Sequence, residues 1–345
     1  MYAGESGTAP GVVPYPTIEL HVHLEATVRP ELLLAIAGRN EASLPAKTPE
    51  GLLDFYRCTT FEEFIQRWIR TSSALQRYAD FREVVVDYAG RAKAQGCVYI
   101  EALFSPSEPV LRGSGWQEVF EGYCDGAAEA AEVHGVEVRF TPDVTRDLPA
   151  LVGRRQAQWA VKYRERGVVG LSLGGSERRV GPEKFKRVFA IARDGGLKAA
   201  PHAGEFAGGK AGAASIRGAL DVLEADRIRH GIRAVDDPAL LAELAGRGIV
   251  CDVTPVSNVR TGAITSLDAH PLPAMLDAGV KCSIGSDDPV LMQTDLAENC
   301  ASAIVLGHTP RGMYEHALAG AFCDETTRDR LRRIGEAHDW DAASA

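Results

Sequence analysis

Apolar residues along this chain fall into short runs rich in β-branched side chains, separated by longer stretches with the 3.6-residue period of amphipathic helices. The short runs are TIELHVHL (17–24), VYIEALF (98–104), VEVRFTP (136–142), VVGLSL (168–173), LKAAPHAGE (197–205), RIRHGI (227–232), GIVCDVTP (248–255) and VKCSIGSDDP (280–289). Many are apolar on both alternate positions, as parallel strands covered on both faces must be. Enough chain separates each from the next for a crossover helix. Eight strand-then-helix units predict an α/β fold, a (β/α)8 TIM barrel.

The intervening helices are legible. DPALLAELAGRG (237–248) has Asp before its helical pattern and Gly after it. PEKFKRVFAIARDGG (182–196) opens with Pro in the first turn and closes on Gly-Gly. The stretch from about 30 to 95 is too long for one crossover and carries at least three helical patterns, among them FEEFIQRWIRTSSAL (61–75). Extra helices inserted after strand one either cover a site at the barrel mouth or elaborate the packing. Residues 1–15 read as a flexible leader and 16–345 as a single barrel domain. The chain from about 325 reads as a terminal helix and frayed end.

Composition narrows the partners. The 345 residues carry a net charge of −9, a poor match for a polyanion, so nucleic acid is not expected. No apolar run approaches the ~18 residues of a membrane span, and the N-terminus lacks the pattern of a signal peptide. The seven cysteines are scattered and form no CxxC, which reads as reduced thiols in a cytoplasmic protein.

Candidate chemistry sits where strands end. In a strand, residues i and i+2 share a face, so His21 and His23 point to one side near the end of the first. Two imidazoles there can hold one cation, and imidazole suits Zn2+. His202 and Glu205 follow at the end of strand five, His230 at strand six, and Asp287 with Asp288 at strand eight. In a barrel these groups crowd the C-terminal mouth, where barrel enzymes place their chemistry. Gly174-Gly175 by itself reads as a turn. His134, His270, His308, His316 and His338 lie in helical or loop contexts, where solvated or capping roles are expected.

The stretches ELHVHLE, GLSLGGSE, PHAGE, RIRHG, VTPVSN and SIGSDDP, in this order over residues 17–289, resemble the adenosine deaminase family. That resemblance implies hydrolytic removal of ammonia from the 6-position of an adenine ring. It makes His21, His23, His202 and Asp287 ligands of one Zn2+, with Glu205 donating a proton at N1. His230 would orient the attacking water, Asp288 would bond N7, and the N–H of Gly175 would reach N3. Three departures stand out: Ser286 where the family commonly has Thr, Val256 within the Pro-x-Ser-Asn stretch, and Glu25-Ala26 where adenosine-specific members carry Asp-Gly. Ser257 and Asn258 are expected to tie loops together at the mouth. The His-x-Glu…Pro-Cys-x-x-Cys pattern of cytidine-type deaminases is absent, as is a Lys at the end of strand four that would bridge two metals.

The Asp for Glu25 difference bears on the substrate. By the resemblance, this position meets the ribose 5′-hydroxyl, and Glu accompanies two other specificities. One is free adenine; the other is 6-amino-6-deoxyfutalosine, an adenine nucleoside with an aromatic acid on its 5′ side. Phe61, Phe64 and Trp68 offer either walls for that aromatic group or helix core, and Arg29 either meets its carboxylate or lies on the surface. The ranking is the futalosine-type nucleoside, then adenosine, then free adenine. Another mononuclear amidohydrolase chemistry on a pterin, a cytosine ring or an amide is the competing enzymatic reading. A silent purine-binding relative should have lost a ligand or the acid, and this chain keeps every one.

Overall fold

The apolar runs form parallel strands, and proline decides where two of them break. The computed structural model describes residues 13–341. It contains β1 (Thr17–His23), β2 (Cys97–Leu103), β3 (Glu137–Phe140), β4 (Asp143–Thr145), β5 (Gly170–Gly174), β6 (Lys198–Ala199), β7 (His202–Ala203), β8 (Arg227–His230), β9 (Val250–Val253) and β10 (Lys281–Ile284). All pairings are parallel, in the orders β1-β2-β3, β4-β5-β6 and β7-β8-β9-β10. Single bridges continue the circuit, Phe140 to Val168 and Val22 to Asp287. The third and fifth expected strands are thus each split in two, at Pro142 and Pro201. Proline has no N–H to give a ladder, but its carbonyl still accepts: Ser172 N–H bonds Pro142 O at 2.9 Å and Arg229 N–H bonds Pro201 O at 3.0 Å. The eight staves of a (β/α)8 barrel result.

The barrel interior holds charge below the mouth. Arg227 bonds Glu101 and Asp252, each at 2.8 Å, and Arg229 bonds the carbonyl of Leu20 at 2.6 Å. These side chains are wholly buried, so each charge must be answered by its neighbours.

Four helices fill the long stretch between β1 and β2: α1 (Pro30–Arg39), α2 (Pro49–Tyr56), α3 (Phe61–Ser72) and α4 (Tyr78–Ala94). Thr48 and Thr60 cap α2 and α3, accepting from Gly51 N–H and Glu63 N–H. Both expected roles occur. α4 packs on the helix Trp116–His134, where a Cβ at Gly122 would come within 2.7 Å of Tyr78 O. α3 instead turns Phe61, Phe64 and Trp68 toward the mouth of the barrel. Asp237 caps Pro238–Arg247 through Ala239 and Leu240 N–H, and Gly248 closes it in the left-handed conformation, as the sequence pattern requires.

Of the leader expected over 1–15, residues 1–12 lie outside the described residues; Val13 and Tyr15 are buried. The terminal helix spans Glu325–Ala337, and the last expected frayed residues, 342–345, also lie outside. No helix among the described residues is long and apolar enough to cross a membrane.

Two histidines expected to be solvated or capping are buried instead, His270 and His308. His308 Nε2 donates to Cys282 O at 2.9 Å and its Nδ1 accepts the Thr309 N–H at 3.0 Å. Burial pushes its pKa down to about 4 from 6.5. The folded state therefore binds fewer protons than the unfolded chain between those values. The stabilisation from neutral His308 is complete above pH 6.5 and is lost as pH falls toward 4. Replacing His308 with Gln should flatten this limb: the wild-type advantage in urea unfolding should shrink by on the order of 2–3 kcal/mol across that window.

Candidate active site

The last hydrogen bonds of the barrel are made by candidate site residues. His23 N–H bonds Asp287 O at 2.7 Å, and Asp287 N–H bonds His21 O at 3.0 Å. Closing β1 against the end of β10 therefore brings three candidate ligands together. β7 supplies the fourth, His202, from across the barrel. His202 Nε2 lies 3.3 Å from Nε2 of both His21 and His23, and Asp287 Oδ1 lies 3.1 Å from His21 Nε2 and 3.4 Å from His23 Nε2.

The protons on these rings can be placed. His21 Nδ1 faces the carbonyl of Asp252 at 3.2 Å, and a carbonyl only accepts, so Nδ1 carries the proton and Nε2 a lone pair. His202 Nδ1 faces Ser172 Oγ at 3.4 Å and Asp143 Oδ1 at 3.8 Å, again leaving Nε2 for the cluster. Burial pushes the pKa of His23 down to about 3, and burial with the neighbouring imidazoles pushes that of His202 well down. The Nε2 atoms of these rings thus crowd one another and a carboxylate oxygen, an arrangement that a cation reconciles. The donor set, imidazole nitrogens with one carboxylate oxygen, fits Zn2+.

Asp287 is held from behind. Ser257 Oγ donates to its Oδ2 at 2.6 Å, with Thr254 Oγ1 at 3.4 Å. Burial alone would raise its pKa, but the facing His21, His230 and His23 hold it well below the usual range. Asp288 moves the other way, pushed up by burial and by the Asp287 charge. Asp287 and His230 both have φ in the left-handed region, at 63° and 60°, although neither is glycine. Such conformations persist where surrounding bonds over-determine them.

His230 sits at the end of a wire of hydrogen bonds. Leu272 N–H donates to His270 Nδ1 at 3.1 Å, so the neutral ring of His270 has its proton on Nε2. Burial keeps that ring neutral, with a pKa near 4. His270 Nε2 meets Asn258 Oδ1 at 3.2 Å, which turns the Asn258 amide N–H to His230 Nδ1 at 3.2 Å. His230 Nδ1 is therefore an acceptor and Nε2 holds the proton. That Nε2 lies 3.3 Å from Glu205 Oε2. Burial first, then Asp287, Glu177 and Asp288, push the Glu205 pKa well up, which favours the protonated carboxyl.

Glu177 explains why Glu205 stands there. Its carboxylate accepts the backbone N–H groups of Gly204, Glu205 and Phe206, clamping the loop after β7. Gly175 lines the cavity with φ at 91°, and a Cβ there would meet Asp147 Oδ2 at 2.8 Å.

These groups open into a cavity of about 490 Å³. His23, His202, Glu205, His230, Asp287 and Asp288 line it. Phe61, Phe64 and Trp68 form part of its wall, and the rings of Phe61 and Phe206 meet at 4.2 Å across the mouth. Glu25 stands behind the wall: its Oε1 accepts from Ser105 N–H at 2.7 Å, Ser105 lines the cavity, and Oε2 is buried without a partner. Arg29 does not reach the site; it pairs with Asp87 at 2.6 Å.

Sequence reasoning missed several supporting residues. Glu177 lay inside a quoted stretch, and the position of a Glu two residues after Gly-Gly was its only signal. His270 gave no signal, because the bond that matters joins it to Asn258 on the helix Pro255–Arg260, which no local pattern marks. Ser257 and Asn258 tie loops as expected, and do so by gripping Asp287 and His230.

Residues 16–335 match the family described as Adenosine deaminase. Aminodeoxyfutalosine deaminase of Acidothermus cellulolyticus is 48% identical over 96% of this chain and 94% of that protein. Adenine deaminase of Streptomyces coelicolor is 34% identical over 94% of this chain and 95% of its own length. A crystal structure of an amidohydrolase from Burkholderia ambifaria, with bound Zn, superposes with a TM-score of 0.87 at 25% identity, covering 96% of this chain and 92% of that one.

Two measurements test the site as drawn. Asp287→Ala should leave the purified protein depleted of metal by elemental analysis, whereas Ser257→Ala should weaken metal retention against a chelator by roughly 10–100-fold. His270→Phe, which cuts the wire to His230, should lower kcat by about tenfold at unchanged KM.

Proposed function

Starting from the adenosine deaminase family, to which this chain belongs, we propose that it is a zinc-dependent aminohydrolase of a 6-aminopurine nucleoside of the aminodeoxyfutalosine class, releasing ammonia and the 6-oxo product. The observation that carries this reading is the convergence of four metal-type donors beside a protonated Glu205 within one cavity.

His21, His23, His202 and Asp287 would hold the cation. A divalent zinc ion in such a site makes hydroxide available near neutral pH by acidifying water. The chain's own residues then do four things. Glu205, kept protonated by burial, donates to N1 as the ring accepts electrons at C6. His230 turns its Nε2–H toward Glu205 and Asp287, where it orients the attacking oxygen and stabilises the charge growing on it. Asp288, its carboxyl pushed toward the neutral form, hydrogen-bonds N7. Gly175, whose N–H has no partner among the described residues, bonds N3, and its lack of a side chain lets the ring approach.

The nucleoside assignment is supported by the aromatic wall. A bare adenine has nothing to place against Phe61, Phe64 and Trp68, whereas an aromatic 5′ substituent buries them. Glu25, behind the wall, would act on the sugar pocket through Ser105, whose N–H it holds. The higher identity to the aminodeoxyfutalosine enzyme than to the adenine enzyme points the same way. Free adenine is the second reading, favoured by the Streptomyces relative. Seven free thiols, six of them buried, suit a cytoplasmic enzyme.

Ranking adenine, adenosine, S-adenosylhomocysteine, methylthioadenosine and aminodeoxyfutalosine by kcat/KM tests the assignment; adenine in first place would overturn it. Glu205→Gln should retain zinc and lose turnover by about 10²–10⁴-fold, the range for a positioned proton donor.

A further inference from the structure

The cavity changes character between floor and rim, and the rim carries a charge that no protein group answers. The floor is buried: His23, His230, Asp287 and their neighbours. Further out the wall is apolar, from α3. At the rim stands Arg179, exposed, on the segment following β5. It is the one Arg or Lys among the described residues that lines the cavity, and its guanidinium makes no hydrogen bond or ion pair with any of them. Its neighbours are committed elsewhere. Arg178 donates to Phe206 O at 3.2 Å, and Arg146 donates to Val180 O at 2.9 Å. Arg29, the residue the sequence offered for a carboxylate, is locked to Asp87 on the far side of the insertion.

The acidic side chains of the rim are mostly answered already. Glu177 accepts three backbone N–H groups, Asp147 accepts Ser176 N–H at 3.0 Å, and Glu108 lies 3.6 Å from Arg112. Glu62 of α3 alone is exposed and without a partner among the described residues. Arg179 is therefore the exposed, unpaired positive charge of a cavity that also has an aromatic wall.

We infer that Arg179 is a specificity-determining residue that pairs with an anionic group at the outer end of the substrate. The group is a carboxylate borne on a ring, and the ring lies against Phe61 and Trp68. This rests on the nucleoside reading above and adds the residue that reads the acid. The planar guanidinium matches a carboxylate through two parallel N–H bonds. A phosphate directly on the sugar is the less favoured anion, because it would face the apolar wall of Phe61, Phe64 and Ile65 with no Arg or Lys beside it to answer its charge. An uncharged nucleoside leaves Arg179 idle, so selection acts through substrate affinity and not through the chemical step.

The test compares aminodeoxyfutalosine with its methyl ester, which differ only in the charge, alongside adenine and AMP. Wild-type enzyme should show a KM for the acid about tenfold below that for the ester, a gap that narrows as salt is added. Arg179→Gln should raise the KM of the acid about tenfold at nearly constant kcat, while changing the ester by less than about twofold. Arg179→Lys should recover part of the difference, and Glu62→Gln should leave the KM of the acid equal or lower. Equal effects of Arg179→Gln on acid and ester, or none on either, would overturn the assignment. So would a preference for AMP that disappears in the same variant, since the anion would then be a phosphate. Wild-type turnover of adenine alone would instead sink the nucleoside reading, and the role of Arg179 with it.

Discussion

Closure of the barrel between its first and last strands is the interaction on which the rest depends. His21 lends its carbonyl, His23 its N–H, and Asp287 both groups to that seam. The same residues present their side chains to the cluster, so their mutual distances are set by a backbone ladder and not by flexible arms. A site built on strand ends keeps its geometry to within the tolerance of hydrogen bonds. The left-handed backbone of Asp287 is part of this arrangement. Ser286 before it gives both N–H and Oγ to Glu19, which Tyr88 also bonds, so the chain is gripped on either side of the turn.

A second constraint is burial. Burial disfavours the charged form of His23, His202 and His230, which suits such rings to holding a metal. The same burial pushes the Glu205 pKa up, while the imidazoles facing Asp287 bring its pKa down. Two carboxyl groups in one cavity are thereby shifted in opposite directions by their surroundings, which suits them to different tasks. Beneath them, Arg227, Arg229, Glu101 and Asp252 form a closed set of ion pairs, and Asp252 also gives His21 the carbonyl that fixes its tautomer. Charge in the barrel core and proton placement in the site are consequently one network.

The inserted helices divide their labour. α4 is scaffold, seated on a glycine-lined face of the next long helix. α3 carries an aromatic face whose outer turns are in contact with the cavity, and Phe61 reaches Phe206 of the loop that also carries Glu205. The aromatic wall of the cavity and the loop that bears Glu205 therefore touch.

The sequence by itself determined the barrel, the place of its strands and the residues of the cluster. The reason is that strand periodicity fixes which side chains share a face, and parallel order brings all strand ends to one mouth. It also fixed helix ends such as Asp237 and Gly248, where the signal is local. Only the tertiary structure decided which groups stand behind the cluster and what faces the outer cavity. Glu177 acts through bonds to the loop some 28 residues further along, His270 reaches a helix that the pattern does not pair with it, and the choice of Arg179 over Arg29 depends on Asp87, 58 residues further along, being near enough to capture one guanidinium and not the other. Such pairings are facts of three-dimensional neighbourhood, and no periodicity along the chain encodes them.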